Sequence, residues 1–429
     1  MNTLEKELKI CGQTHTAKDE LLLHVKDQFK HVFTANQIDV IVGRKKKPRW
    51  TIDEIAKAFT ITYMSKRCYT FLRSKLHIPL PGLSSLATYA RRINLREGLL
   101  KQVLHSMYVA GLNKTAKDLA CILTFDEMSV CSMMEFDSAA DEIVGPHSHV
   151  QIIMARGLFD KWKQVIFVAF DTPVTKELLY DAIIELHRIH YHVVGINSDN
   201  GPVNMSLRRE LGISIDKTYF EHPMSEEKVY VFGDSPHNLK LLRNWFVSGG
   251  ILWNQQKITS SLINILLQER ASCELTPLFD LHYGHLQLSS TEKQNVSKAA
   301  KLLSHTTATA LELRFRDTPQ EEEAKLVSDF IEICNNWFDV FNSYIPHASI
   351  KLKKSFIASD EQINAIDKME QMLLNCRGIQ KNYNICRTMA IFQTSIIMSI
   401  RFLKGLFRDM RCKYSVKYIS TFKVNINPI

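Results

Sequence analysis

The 429-residue sequence contains no Cys-x-x-Cys pair. Its nine cysteines (Cys11, Cys68, Cys121, Cys131, Cys273, Cys334, Cys376, Cys386 and Cys412) are scattered and odd in number. That argues against a disulfide framework and a cysteine-rich zinc module, and suits a reducing compartment, cytosol or nucleus. There is no GxxxxGK[ST] run, hence no phosphate-binding loop of that type. The opening MNTLEKELKICGQ lacks the apolar core of a secretory leader. The most membrane-like stretch, MAIFQTSIIMSI (389–400), is short, contains Gln393 and is flanked by Arg387 and Arg401. It reads as a buried helix and not as a membrane span. No internal repeat is visible, and the one biased patch, DTPQEEEAK (317–325), reads as a solvated helix start.

A basic excess is also missing from most of the chain. Residues 111–429 carry 35 Lys+Arg and 36 Asp+Glu, whereas residues 1–110 carry 19 and 9. A basic end of this kind suits an acidic partner, nucleic acid first, although a solvated basic surface has the same composition. At 45% hydrophobic the chain has material for real cores, and its length suits two or three domains.

Helical spacing is read over Leu21, Leu22, Val25, Phe29, Val32 and Phe33. The cluster GRKKKPRW (43–50) then supplies Lys45, Lys46, Lys47 and Arg49, as a phosphate-contacting arm, a nuclear address or a solvated linker. In 51–93, Thr51 and Glu54 form a capping box for a helix. A second helix at 64–76 ends before the turn HIPLPG (77–82), and a third begins at Ser84 or Ser85 and ends in Tyr89, Arg91 and Arg92. Lys66, Arg67, Arg73, Arg91 and Arg92 are the charged candidates on outer faces. The pattern suits a helix-turn-helix DNA reader and equally a small helical bundle.

From 119 the pattern changes. LACILTF runs apolar into Asp126-Glu127, and SHVQIIMARGLF (148–159) and KQVIFVAFD (163–171) continue as strands joined by a turn near Asp160. TKELLYDAIIELHRIH (175–190) is an amphipathic helix, HVVGINSDN (192–200) a buried strand ending in Asp199, VNMSLRREL (203–211) a helix, and KVYVFGDSPHNLKLLRNWF (228–246) a strand running into a helix. Glu127 is expected on the opposite face from Asp126. His147 and His149 in GPHSHV read as exposed residues of a Gly-Pro turn, with metal ligation as the alternative, and HRIHYH (187–192) as a helix end. Gly249-Gly250 reads as a hinge. From 247 to 405 the chain reads as helical, and 403–429 as a helix followed by a strand.

Three strands, a helix, a strand, a helix and a strand form the ribonuclease H-like order, in which carboxylates on the first and fourth strands hold metal. Asp126 and Asp199 occupy those places. A buried strand ending in a carboxylate needs a partner. Hard oxygen ligands suit Mg²⁺ or Mn²⁺, and a two-metal site stabilises both the attacking and the leaving oxygen of phosphodiester chemistry.

The blocks ILTFDEMSV, SDN with Asn204 after it, FGDSPHNLKLLRNW, NVSKAAKLLSH and FIEICNNWFDVFNS resemble, in order and spacing, P-element-type transposases, including the vertebrate THAP-domain transposases. The likeness runs from about residue 50 to the last residue. It implies an α/β ribonuclease H-like core with a mixed sheet, an N-terminal helix-turn-helix region and a large all-α insertion domain. The expected divisions are 1–110, 115–246, 247–405 and a return to the core at 406–429. It also implies DNA cleavage and strand transfer at transposon ends, a homo-oligomer in the nucleus, Mg²⁺ or Mn²⁺, and GTP in the insertion. Asp126 and Asp199 match the first two catalytic and metal-binding carboxylates, and Asp234 and His237 match an Asp-x-x-His pair beside the active site.

Two departures accompany the match. The family's Cys-Cys-Cys-His zinc finger has no counterpart, since only Cys11 precedes residue 50. The family's third carboxylate follows a motif like Leu-Asn-Gln-Asp-x-Leu-Glu, and the corresponding stretch here is KVNINPI, with Ile426 and Asn427 at the Gln and Asp places. The expectation is therefore a transposase or fragment of one with weak or no catalysis. The alternative is a non-catalytic DNA-binding or oligomerising regulator derived from a transposase.

Overall fold

The computed structural model describes residues 27–29, 32–90, 97–137, 141–270, 281–287, 289–380, 382 and 384–426. The helical spacing over Leu21, Leu22 and Val25, and the candidates Arg91 and Arg92, lie outside them. The chain divides between Leu95 and Arg96 into two compact units.

The first unit is helical: Ala35–Ile41, Ile52–Met64, Lys66–Ser74 and Leu83–Ala90. Thr51 and Glu54 form the expected capping box, and Thr34 and Gln37 form a second. Ala58, Tyr69 and Leu86 are its buried core, with Ile55, Phe59, Ile61 and Leu80 packed against them. The Tyr69 hydroxyl donates to the Pro81 carbonyl at 2.6 Å, tying the HIPLPG turn to the core. Glu54 is buried and accepts from Thr34 Oγ1, Asn36 Nδ2 and the Thr51 amide. Burial alone raises its pKa, but these bonds outweigh it and hold the carboxyl below the usual glutamate value.

The second unit is built on seven strands: β1 (Gly98–Leu99), β2 (Ala120–Ser129), β5 (His149–Gly157), β6 (Lys163–Phe170), β7 (His192–Ser198), β8 (Tyr219–Glu221) and β9 (Lys228–Gly233), in the order β1-β6-β5-β2-β7-β9-β8. A separate hairpin, β3 (Glu135–Asp137) and β4 (Glu142–Val144), lies between β2 and β5 in the chain. β2, β5 and β6 pair antiparallel, whereas β7 runs parallel to β2 and β9 parallel to β7. This is the mixed sheet and ribonuclease H-like order expected. The central strands β2, β7 and β9 are buried almost without alternation, as when both sheet faces are covered. The helix Lys101–Gly111 packs Leu104 and Met107 into the sheet's core. Residues 96–110, grouped by their charge with the basic end, thus belong to the sheet unit.

After β9 the helix Ser235–Ser248 leads into the insertion. Helices Ser261–Arg270, Val296–Leu302, His305–Phe315, Glu321–Phe341 and Asp360–Asn375 make up most of it. Beside them stands a small sheet that the sequence did not announce: β10 (Ile251–Trp253), β11 (Gln256–Ile258) and β12 (Arg377–Gly378), in the order β11-β10-β12. Gly249-Gly250 is a close contact rather than a hinge. A Cβ on Gly249 would lie 1.9 Å from the Ile379 carbonyl oxygen, and Gly250 has φ +97°.

The stretch 389–400 enters the helix Ile391–Tyr414, which is buried along most of its length. Among the described residues no helix is long and apolar enough to cross a membrane. This helix lies against β9, with Ser399 Oγ accepting from the Gly233 amide at 3.1 Å and Phe402 packing on Phe232 at 5.4 Å. The return to the core therefore begins near 391 and not at 406. The strand expected after it is a 3-10 turn, Thr421–Lys423, preceded by a single bridge between Ile419 and Phe356. Its backbone groups are bonded to loops and side chains instead of a ladder, as in Phe422 N to Ser343 O.

Candidate active site

The parallel strands β7 and β9 end level, and β2 leaves its pairing with β7 at the same level, continuing beside β5 to Ser129, so Asp126 lies within its strand and not at the strand end expected. Register pairs Phe125 with Ser198 and Ser198 with Gly233. The next residue on each chain is an aspartate: Asp126, Asp199 and Asp234. Side chains alternate along a strand, so Asp126 and Asp199 emerge as neighbours on one sheet face, and Glu127 turns to the other. Glu127 is exposed, 3.5 Å from His149 Nε2. His147 Nδ1 lies 3.1 Å from Asp171 Oδ2, so the two histidines join a surface network.

Asp126 is half-buried and accepts from the Glu127 amide at 2.9 Å. Burial raises its pKa, and the charges of Asp199 and Asp234 add to the rise. The Glu127 amide and His237 oppose it. Asp199 takes two donors on Oδ1, the Gly201 amide at 2.9 Å and Asn204 Nδ2 at 2.6 Å. The family-like Asn204 thus orients this carboxylate.

Asp234 is 1% exposed and both its oxygens are used within the protein. Oδ2 accepts from the His237 amide at 3.0 Å and lies 2.6 Å from His237 Nδ1, while Oδ1 accepts from the Ile426 amide at 2.7 Å. It caps the helix Ser235–Ser248 and fastens the segment 424–426. Asn197 Nδ2 donates to the Val424 carbonyl at 2.5 Å, and Asn425 Nδ2 to the Phe341 carbonyl at 2.8 Å. The stretch read as the counterpart of the family's third-carboxylate motif is therefore docked at the ends of β7 and β9 as far as Ile426; Asn427 to Ile429 lie outside the described residues.

Two cations escaped the sequence reading. Lys240, one turn beyond His237, is buried; burial lowers its pKa and the three aspartates counter that. Its Nζ donates to Gln294 Oε1 at 3.1 Å. Its place in the Asp-x-Pro-His-x-x-Lys pattern was the available signal. Arg208 is 4% exposed and donates to oxygens of residues 198–200 and to Met205 Sδ; nothing in LRREL distinguishes it from Arg209.

The donor set fits a hard divalent cation: two adjacent carboxylates, one with its pKa raised by burial first and by its acidic neighbours second. Among the described residues no group of three or more His, Cys, Asp or Glu is placed to hold a metal ion. That is compatible with Mg²⁺, which is commonly held by one or two carboxylates, water and substrate phosphates.

In the helical unit, Lys46, Lys47, Arg49, Lys66 and Arg67 are exposed. Lys45 pairs with Asp39 at 3.0 Å, and Arg73 Nε donates to the Leu80 carbonyl at 3.3 Å. Residues 1–95 hold 17 Lys+Arg against 8 Asp+Glu, so the chain's whole excess of +9 lies in this unit. The insertion carries a cavity of about 520 Å³ walled by Trp253, Asp329, Glu332, Asn336 and Lys368 among others.

Residues 95–212 match the model of a TNP-like RNase H N-terminal domain, and residues 236–355 that of a TNP-like GTP-binding insertion domain. The chain is 31% identical over 403 residues to the transposable element P transposase of Drosophila melanogaster, covering 94% of this chain and 53% of that protein. It is 25% identical over 367 residues to the human DNA transposase THAP9, covering 74% and 40%. It thus spans about half the length of these curated relatives. A chain of the Drosophila P element transposase strand transfer complex superposes with a TM-score of 0.82 at 30% identity, covering 94% of this chain and 90% of that one.

Proposed function

The chain belongs to the P-element-type transposase family, and from that premise we propose that it is a DNA transposase or the core of one, with Asp126 and Asp199 as its catalytic, metal-holding carboxylates. The observation that supports the reading is the register of β2 against β7, which sets these two residues side by side where the parallel pairing of the two strands ends. Mg²⁺ or Mn²⁺ there would supply charge stabilisation at the reacting phosphate. The protein's part is to present Asp126 and Asp199 as ligands, to orient Asp199 through Asn204 and Gly201, and to hold His237 by Asp234 beside the site. In cleavage, a water oxygen bonds to phosphorus as the P–O3′ bond breaks, leaving a free 3′-hydroxyl. In strand transfer, that hydroxyl attacks a target phosphate, forming one P–O bond as another breaks.

The exposed cations of the helical unit make phosphate contacts in this reading, with Lys46, Lys47, Arg49, Lys66 and Arg67 foremost and Lys45 and Arg73 beside them. Transposon-end DNA is the partner, the nucleus the compartment and a homo-oligomer the working form. The insertion takes a guanine nucleotide, which calorimetry with GTP against ATP tests.

The deciding experiment is a Mn²⁺ titration of the full chain followed by thermal unfolding, with plasmid nicking read in parallel. Metal should raise the melting temperature of wild type and leave Asp126→Asn unmoved, and nicking should require both metal and Asp126. No metal-dependent shift in wild type overturns the reading. A shift without nicking, together with salt-dependent binding to duplex DNA that needs no metal, supports the non-catalytic regulator instead.

A further inference from the structure

Arg208 stands on the helix Pro202–Glu210, which follows β7 and the Asp199 turn. A 4% exposed guanidinium is expensive unless its donors are satisfied. Burial draws its pKa down to about 10, against the opposing charge of Asp199, so the group stays protonated at neutral pH. One terminal nitrogen donates to Asn200 Oδ1 at 2.7 Å. The other donates to the Ser198 carbonyl at 2.9 Å, Ser198 Oγ at 3.0 Å and the Asp199 carbonyl at 2.9 Å. These oxygen acceptors lie in three consecutive residues, the turn that carries the second carboxylate; the first terminal nitrogen also faces Met205 Sδ at 3.6 Å, and Nε has no partner among the described residues. Asn200 in turn donates to Asn238 Oδ1 at 2.8 Å, and Asn238 Nδ2 to Ser395 Oγ at 3.1 Å. The turn is thus tied to the helix that follows β9 and to the long helix lying on it.

We propose that Arg208 is a positioning residue for Asp199: it locks the 198–200 turn so that Oδ1 stays with Gly201 and Asn204, and Oδ2 is presented as the ligand atom beside Asp126. The inference rests on the metal-site reading above. It also has a sign of its own. A cation close to a metal site repels the metal, so charge alone makes loss of Arg208 tighten metal binding. Loss of a locked ligand geometry weakens it, as removal of groups that orient metal ligands does by about 10–100-fold.

The test is Mn²⁺ binding to the full chain, followed by the electron paramagnetic resonance signal of free Mn²⁺, for wild type, Asp126→Asn, Arg208→Met and Arg208→Lys. Arg208→Met should bind Mn²⁺ about tenfold more weakly than wild type. Arg208→Lys should also be weaker, because an ammonium cannot span the same fan of acceptors. Both comparisons are made with metal-free melting temperatures alongside. If Arg208→Met folds and binds Mn²⁺ as tightly as wild type or more tightly, the inference is overturned while the metal site stands. If wild type fails to bind, or Asp126→Asn binds equally well, the metal-site reading fails and takes this inference with it. Should Arg208→Met not fold, Asn200→Ala keeps the guanidinium but removes both its bond to Asn200 Oδ1 and the turn's link to Asn238. Weaker Mn²⁺ binding is expected there too, and unchanged binding overturns the inference.

Discussion

Asp234→Asn should destabilise the sheet unit although it changes one atom. Asparagine caps a helix as well as aspartate, but its one oxygen cannot accept from both the His237 and the Ile426 amides. If the oxygen faces His237, the NH₂ group faces the Ile426 amide, donor against donor. If it is flipped, the clash moves to the His237 backbone amide and the cap bond is lost. Either way a bond to a carboxylate, typically about 1.5–3 kcal/mol, is lost, and an unpaired N–H is left at a position 1% exposed. A total of about 2–4 kcal/mol is expected. For a unit of about 330 residues, at about 2.1 cal/mol/K of unfolding entropy per residue, this lowers the melting temperature by about 3–6 °C. Calorimetry reads the shift, and hydrogen exchange reads faster opening at Ile426. A melting temperature within 1 °C of wild type, with unchanged exchange at Ile426, would refute the assignment of Asp234 as a clamp.

Two further substitutions probe separate parts of the chain. Glu54→Gln should loosen the helical unit by about 1–2 kcal/mol, seen as faster amide exchange across Ile52–Met64. Because the folded Glu54 pKa is lowered, its contribution is present above the unfolded glutamate value and is lost as pH falls through the folded one. Wild type should therefore show an acid-side loss of protection that the variant lacks; equal acid profiles would count against the Glu54 network. Gly249→Ala must displace the Ile379 backbone and should cost about 1–3 kcal/mol, whereas a hinge glycine would accept alanine with little change in melting temperature.

The acidic ends of the apolar runs were legible because a run broken by a carboxylate is a local signal, present at Phe125-Asp126 and again at Ser198-Asp199, although β2 itself continues to Ser129. The register that makes them neighbours is not local, and neither is the bond from Ile426 to Asp234 across 192 residues. Strands of two or three residues, β10 to β12, are too short to show a period, so the sheet in the insertion was invisible. The helix Lys101–Gly111 was read by the charge of its surroundings and not by Leu104 and Met107, which place it on the sheet. Lys240 and Arg208 look like surface cations in sequence; only tertiary packing buries them. Gly249-Gly250 was visible as a special position, but sequence alone does not distinguish freedom to move from need for space.

The helix Ile391–Tyr414 also bears on how the protein is made. It covers the strand that ends at Gly233, yet about 160 residues separate the two. At about 5–20 residues per second, a ribosome needs on the order of 8–30 s to deliver the cover after the strand has emerged. Through that interval Tyr230 and Phe232 stand without Gly405 and Phe402 against them. The nascent core must wait, exposed or chaperoned, until the whole insertion has been translated.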